Sequence, residues 1–187
     1  AAVLAAADRL GYRLNAAASS LASRESRVVA LVVNDLSNPY LVEGTEALQE
    51  HVEATGRRLI LGVARRDARR ERSVIETLLQ HRPDALILAG TVLPKTVLAE
   101  FGRQLPTLIM GRLVRGAHVD CIAVDDAKGA ELVVEHLVDL GHRDIVHVDG
   151  GNGAGAAPRR SGYRATMTRL GLAEHIDIIA GEFTEHA

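Results

Sequence analysis

The sequence lacks several residue types, and each absence narrows what the chain can be. None of its 187 residues is tryptophan, only 3% are aromatic, and Cys121 is the single cysteine. One cysteine cannot form a disulfide within the chain, which excludes a disulfide-stabilised scaffold and fits a reducing compartment. A core with so few rings must be filled by Ala, Val, Leu and Ile, as in parallel sheets covered by helices.

Neither an excess of one charge nor a long apolar run is present. The chain carries 22 basic and 24 acidic residues, a formal net charge of -2, and so has no global basic signature for nucleic acid. No apolar run approaches the roughly 20 residues of a membrane span, and the N-terminus has no signal-peptide pattern. We therefore expect a cytoplasmic protein without a membrane partner, in which any DNA contact is confined to a small region.

Strand and helix patterns alternate from Val28 onward, with 47% of all residues hydrophobic. The run VVALVV at 28–33 is typical of a strand buried on both faces, and Pro39 is placed to open a helix that Gly56 stops. Further strands are predicted at 59–63, 84–89, 106–110, 121–124, 145–148 and 176–180, with helices after Asp67 and at 98–104, 127–140 and 159–170. Short connections between alternating elements predict a doubly wound parallel sheet, and we place a lobe boundary near 124–126.

The residues ahead of the first strand have a different character. The segment 3–10 has helical composition, Gly11 is placed as its cap, and its apolar face implies a small helical bundle upstream. Asn15 is a good N-cap for the Ala/Ser segment that follows, in which Leu21 is the one large apolar side chain. Such a helix can lie against a DNA minor groove and insert an apolar wedge between base steps. A flexible linker is the alternative, and composition alone favours the linker.

Polar residues follow the predicted strands, at the edge of a parallel sheet where ligands bind. They are Asp35 to Tyr40, Ala64 to Asp67, Gly90 and Thr91, Gly111 and Arg112, Asp125 at the lobe junction, and Gly150 to Arg159. Hydrogen-bonding groups with one aromatic suit a polar metabolite such as a sugar or a nucleobase. For Ser37, Asn38 and Asp67, ordinary capping and turn chemistry is the favoured interpretation.

The sequence contains no motif that indicates catalysis, a cofactor or a metal. It has no HExxH or GxSxG pattern, and Cys121 lies in an apolar strand where a thiol is usually inert. The loop GGNGAGAAPRR lacks the Lys-Ser/Thr of a P-loop, so a mobile lid or hinge is favoured over a phosphate site. The run RRDARRER at 65–72 is interpreted as a solvated helix start. We therefore expect no enzyme.

In their order along the chain, these motifs resemble the LacI/GalR family of bacterial transcription regulators, typified by the lactose and purine repressors. LAAADRLGYRLNAAASSLAS resembles the last headpiece helix and the hinge helix, and VVALVVNDLSNPYLVEGTEALQEHVEATGRRLILG resembles the start of the effector-binding core. VDDAKGAELVVEHLVDLGHRDIVHVDG resembles the crossover into the second lobe, and RRSGYRATMTRLGL the helix beyond it. The resemblance covers the whole chain.

The resemblance implies an α/β, two-lobed, periplasmic-binding-protein-like fold with doubly wound parallel sheets, preceded by the remnant of an all-α helix-turn-helix headpiece. The implied domains are the last headpiece helix at 1–14, a hinge helix and linker at 15–26, the N-terminal lobe at 27–124 and a partial C-terminal lobe at 125–187. Because the chain starts inside a helical pattern without methionine and ends soon after the last predicted strand, we expect the second lobe to be incomplete.

The resemblance also implies a function and its residues. Such regulators are homodimers or tetramers that bind operator DNA, and a small effector between the lobes, a sugar or sugar derivative here, controls that binding. The implied effector contacts are Asp35, Tyr40, Leu41, Thr91, Arg112, Asp125 and Arg159; the implied DNA contacts are Asn15, Ala18, Leu21 and Ala22, with Leu21 as the wedge.

Three positions depart from the family pattern. Ser19 stands where the family often has arginine, so one phosphate contact is expected to be lost. Gly153 and Gly155 replace polar contacts of purine-binding members, which argues against a purine ligand. A periplasmic-type sugar-binding protein is the alternative function, disfavoured by the segment around Leu21, and an enzyme on a doubly wound fold is a third.

Overall fold

The structure is a computed structural model that describes Arg9 and residues 25–181. In it, a five-stranded parallel sheet forms the first lobe. Its strands are β1 Val28–Val33, β2 Arg58–Val63, β3 Ala85–Ala89, β4 Thr107–Met110 and β5 Asp120–Ile122. They pair in the order β2-β1-β3-β4-β5, all in parallel. Every residue of β1 is buried, because strands flank it on both sides and helices cover both faces. The doubly wound sheet predicted for this lobe is confirmed.

Three helices cover this sheet: α1 Pro39–Ala54, α2 Ala68–Leu79 and α3 Lys95–Gly102. Side chains alternate along β1, so Ala30 and Val32 pack on one face and Val29, Leu31 and Val33 on the other. The first face lies against Ile75 of α2 together with Leu98 and Phe101 of α3. The second face lies against Leu41, Leu48 and Val52 of α1. The core is thus aliphatic with one phenylalanine, as the composition predicts.

The second lobe is smaller. Strands β6 Val146–Val148 and β7 Asp177–Ile179 pair in parallel, and helices α4 Asp126–Asp139 and α5 Ala156–Arg169 pack together over them, with a short 3₁₀ helix at Ala173–His175. The Tyr163 hydroxyl donates to the Ile145 carbonyl at 2.6 Å and accepts the Asp177 N–H at 2.9 Å. One buried side chain of α5 therefore links the helix to both strands.

Several predicted boundaries shift by one to three residues. Helix α3 begins at Lys95 instead of Leu98, and α5 begins at Ala156, inside the stretch predicted to be a loop. Gly155 precedes α5 with φ +81°, a left-handed conformation that glycine adopts without strain, and Pro158 is tolerated because it lies in the first turn. Strand β5 ends at Ile122 instead of Val124.

Some expectations fall outside the described residues. The proposed headpiece helix, apart from Arg9, and the hinge segment up to Arg24 are among them. Within residues 25–181, no helix combines the length and the apolarity that crossing a bilayer requires.

Candidate functional site

Asp35 lies at the carboxyl end of β1, at the edge where we expect a ligand. Its carboxylate accepts the Ser37 N–H at 2.8 Å and the Ser37 hydroxyl at 2.7 Å, and Arg66 Nε lies 3.5 Å away. The two hydrogen bonds from Ser37, aided by the charge of Arg66, lower the pKa of Asp35 against a smaller opposing effect of burial. Asp35 therefore presents an ionised carboxylate at the rim of the first lobe.

Tyr40 and Leu41 follow in the first turn of α1 and face different surroundings. The Asn38 side chain caps α1 by accepting the Tyr40 N–H at 3.0 Å, which confirms its predicted capping role. The Tyr40 side chain is largely exposed, whereas Leu41 packs into the core below. The structure thus leaves the Tyr40 ring accessible to a ligand and gives Leu41 a packing role.

Thr91 and Arg112 belong to a buried polar network whose centre is Glu71. The side chain of Glu71, only 1% exposed, accepts the Val92 N–H at 3.0 Å, hydrogen-bonds the Thr91 hydroxyl and faces the charge of Arg112. The Thr91 hydroxyl also accepts the Leu93 N–H at 3.2 Å, and Arg112 donates to the Leu93 carbonyl. Burial raises the pKa of Glu71 more than these partners lower it.

This network corrects the prediction for the run 65–72 and gives Thr91 and Arg112 a structural role. The charge pattern of the run 65–72 predicts a solvated helix start, yet Glu71 within it is buried because it lies four residues before Ile75, on the apolar side of α2. That spacing was the signal that sequence reasoning missed. Thr91 is 4% exposed and its hydroxyl is already bonded, so in this geometry Thr91 and Arg112 hold the 91–93 turn in place. Their direct effector contact stays a prediction.

The second lobe contributes two neighbouring aspartates with different partners. Asp125 caps α4 by accepting the Lys128 N–H at 2.9 Å. Asp126, with a side chain only 8% exposed, accepts the Nε–H of Arg159 at 2.7 Å. The structure therefore brings Arg159 to Asp126, whereas the family resemblance implies Asp125 as the effector contact. An effector contact by Asp125 also stays a prediction.

Close approach between α4 and the start of α5 explains one glycine. A Cβ atom on Gly155 would lie 2.6 Å from Oδ2 of Asp126, so only glycine lets the carboxylate come this near. Arg160, the neighbour of Arg159, donates to the buried carboxylate of Asp149 at the end of β6. The first turn of α5 is thus held between two aspartates, neither of which the sequence analysis had singled out.

The loops of the two lobes meet beside this turn. A Cβ on Gly111, after β4, would lie 3.7 Å from the Cβ of Ala154, which precedes α5. The predicted DNA contacts Asn15, Ala18, Leu21 and Ala22 lie outside the described residues. Across residues 25–181, no cluster of three or more His, Cys, Asp or Glu side chains could hold a metal ion.

Sequence comparison relates this geometry to known proteins. The profile described as periplasmic binding proteins and sugar binding domain of LacI family matches residues 26–184. The transcriptional regulator GalR of Escherichia coli is 33% identical over 174 residues, which cover 92% of this chain and 51% of GalR. The maltose regulon regulatory protein MalI of the same species is 32% identical over 178 residues, 94% of this chain and 52% of MalI. The chain therefore spans about half the length of these relatives.

Solved structures agree with the sequence comparison. A LacI transcriptional regulator from a Rhodococcus species superposes with a TM-score of 0.75 at 30% identity, covering 84% of this chain and 59% of that one. The lac repressor dimer, bound to operator and the anti-inducer ONPF, has a TM-score of 0.78 over 97% of this chain and 56% of its own; at 21% identity it supports the fold alone. The chain belongs to the family of periplasmic binding proteins and LacI sugar-binding domains, and is homologous to the regulators GalR and MalI.

Proposed function

We propose that this chain is the effector-binding part of a ligand-responsive transcription regulator, a repressor of the LacI type. A small polar metabolite, a sugar or sugar derivative, binds between the lobes and controls operator binding. The observation that carries this proposal is the approach of the two lobes at Gly111 and Ala154, beside the start of α5, where Asp126 pairs with Arg159; Asp35 lies at the carboxyl end of β1 in the first lobe. Hydrogen-bonding groups of both kinds suit a ligand rich in hydroxyls.

The predicted effector residues divide into two roles in this proposal. Tyr40 and Arg159 contact the ligand, because the Tyr40 ring is exposed and the Arg159 side chain is about half exposed. Asp35, at the end of β1, and Asp125, which caps α4, are proposed as further contacts. Leu41, Thr91 and Arg112 shape the wall from below, since each is engaged in packing or in the Glu71 network.

Operator DNA and a second copy of the chain are the partners we propose. Asn15, Ala18, Leu21 and Ala22 would contact the minor groove, with Leu21 as the wedge. Strand β2 is at one edge of the sheet, and its Leu61 side chain is exposed. An exposed apolar side chain at a sheet edge supports our proposal of a homodimer or tetramer. A cytoplasmic, non-enzymatic protein without cofactor belongs to the same proposal.

Operator binding by the full-length protein tests this proposal. A palindromic duplex would first be selected from a random pool, and its affinity then measured by fluorescence anisotropy across salt concentrations and with a panel of sugars. We expect salt-dependent binding that at least one sugar changes by about ten-fold or more, within the usual range of coupling between sites. Sugar binding without any selectable duplex would instead favour the periplasmic-type alternative.

A further inference from the structure

Four arginines at the ends of strands or in the first turn of α5 are already paired with carboxylates. Arg66 faces Asp35 at 3.5 Å, and Arg112 faces the buried Glu71. Arg159 bonds Asp126 at 2.7 Å, and Arg160 bonds Asp149. Each positive charge is therefore balanced by an adjacent negative one. This pattern differs from a phosphate site, which concentrates uncompensated donors and positive charge.

The start of α5 is the place where an anion would otherwise bind. A glycine-rich loop that leads into a helix offers backbone N–H groups and the positive end of the helix dipole. Here the carboxylate of Asp126 lies against Gly155, the residue that precedes the helix, so closely that any Cβ at that position would clash with it. A phosphate at this position would meet a buried negative charge within a few ångströms, which is strongly unfavourable.

The carboxylate of Asp126 and the guanidinium of Arg159 together suit an uncharged ligand. Adjacent hydroxyls of a sugar each donate one hydrogen bond and accept others, so one can donate to Asp126 while its neighbour accepts from Arg159. Hydrogen bonds that involve a charged partner are about twice as strong as neutral ones. The Asp126 side chain is only 8% exposed, which keeps its carboxylate fixed in position.

We propose that the effector is an uncharged, hydroxyl-rich sugar, and that Asp126 is the residue that excludes phosphorylated sugars by occupying the anion-binding position beside α5. This inference rests on the proposed function, because it assumes that the cleft binds the effector. Repulsion of the wrong ligand is a common source of binding specificity.

Matched pairs of sugars test the inference on the full-length protein. Isothermal titration calorimetry would compare D-galactose with galactose 1-phosphate, D-glucose with glucose 6-phosphate and D-fructose with fructose 1-phosphate, and inorganic phosphate would serve as a probe alone. For the wild-type protein we expect an uncharged sugar to bind at least about ten-fold more tightly than its phosphorylated counterpart, and inorganic phosphate not to bind at the α5 site.

The substitution Asp126→Asn separates charge from shape. It should weaken binding of the uncharged sugar by about ten-fold or more and create measurable affinity for inorganic phosphate, because Arg159 and the start of α5 lose their built-in anion. Glu135→Gln is the matched control: it removes one negative charge from the same helix, but Glu135 pairs with Arg169, away from the start of α5. The control should bind every probe as the wild-type protein does.

The outcomes distinguish this inference from the function on which it rests. A wild-type protein that binds a phosphorylated sugar more tightly than the uncharged parent overturns the inference and leaves a sugar-responsive regulator intact. Failure of every sugar to affect operator binding counts against the proposed function, whereas the inorganic phosphate measurement still decides the role of Asp126. If the wild-type protein and Asp126→Asn bind inorganic phosphate equally well, Asp126 does not exclude phosphate. If the variant does not fold, binding of phosphate at the start of α5 in the wild-type protein leads to the same conclusion.

Discussion

Glu71 in the first lobe and Asp126 in the second are both almost fully buried carboxylates that face an arginine, yet they are held differently. Glu71 accepts hydrogen bonds from the 91–93 turn, and Arg112 in turn donates to the Leu93 carbonyl beneath that turn. Asp126 bonds directly to Arg159, whose side chain is about half exposed. The first acid is thus enclosed within one lobe, whereas the second is paired with an arginine side chain that remains accessible at the surface. A buried carboxylate can therefore either hold a loop in place from within the lobe, as Glu71 does, or pair with an accessible side chain, as Asp126 does.

The largest effect we expect comes from Glu71→Ala. This change removes the acceptor of the Val92 N–H and leaves the positive charge of Arg112 without its buried counterpart, which should lower the free energy of unfolding by about 3 kcal/mol. Urea denaturation followed by circular dichroism measures the loss. Glu76→Ala, on an exposed face of the same helix, is the control and should change stability little. Equal losses in the two variants would contradict the enclosed network.

A somewhat smaller effect is expected in the second lobe from Gly162→Ala. A Cβ on Gly162 would lie 2.3 Å from the carbonyl oxygen of Ala127, so α4 and α5 would have to separate. We expect a loss of about 2 kcal/mol, as for other overpacked interiors, together with weaker ligand binding because Asp126 and Arg159 lie on those two helices. Gly129→Ala, on α4 with open space around it, should be tolerated. Unchanged stability of Gly162→Ala would contradict this close packing.

The smallest effect is a change in pH dependence, tested with Glu71→Gln. Because the pKa of Glu71 is raised in the folded protein, its contribution to stability is fully present below its unfolded pKa and is lost as the pH rises through its folded pKa. The stability of the wild-type protein relative to Glu71→Gln should therefore fall as the pH rises through that range. Denaturation curves at a series of pH values measure the difference, and a difference independent of pH would refute the assignment.

The pH dependence of stability that Asp35 contributes has the opposite sign to that of Glu71. Its lowered pKa makes its contribution present above the unfolded pKa and lost as the pH falls through the folded one. Asp35→Asn should therefore lower stability at neutral pH, and its difference from the wild-type protein should disappear as the pH falls through the acidic range, below the range in which the Glu71 effect appears.

Local rules of sequence were enough for much of the first lobe. The run at 28–33 is a buried strand because its composition leaves no polar face, and Asn38 and Asp67 cap helices through hydrogen bonds within three residues. The residues that were missed depend on tertiary contacts. Glu71 lies on the apolar side of α2, but its partners belong to the 91–93 turn, about twenty residues further along the chain, and Asp126 instead of Asp125 reaches Arg159 because Asp125 already caps α4.

The hydrogen bonds that the Tyr163 hydroxyl makes with Ile145 and Asp177 have a mechanical consequence. They tie α5 to both strands of the small sheet, and α4 packs tightly against α5, so the second lobe resists internal deformation. Any movement of this lobe that accompanies the proposed ligand binding would therefore carry Arg159 and Asp126 together, with their ion pair unchanged.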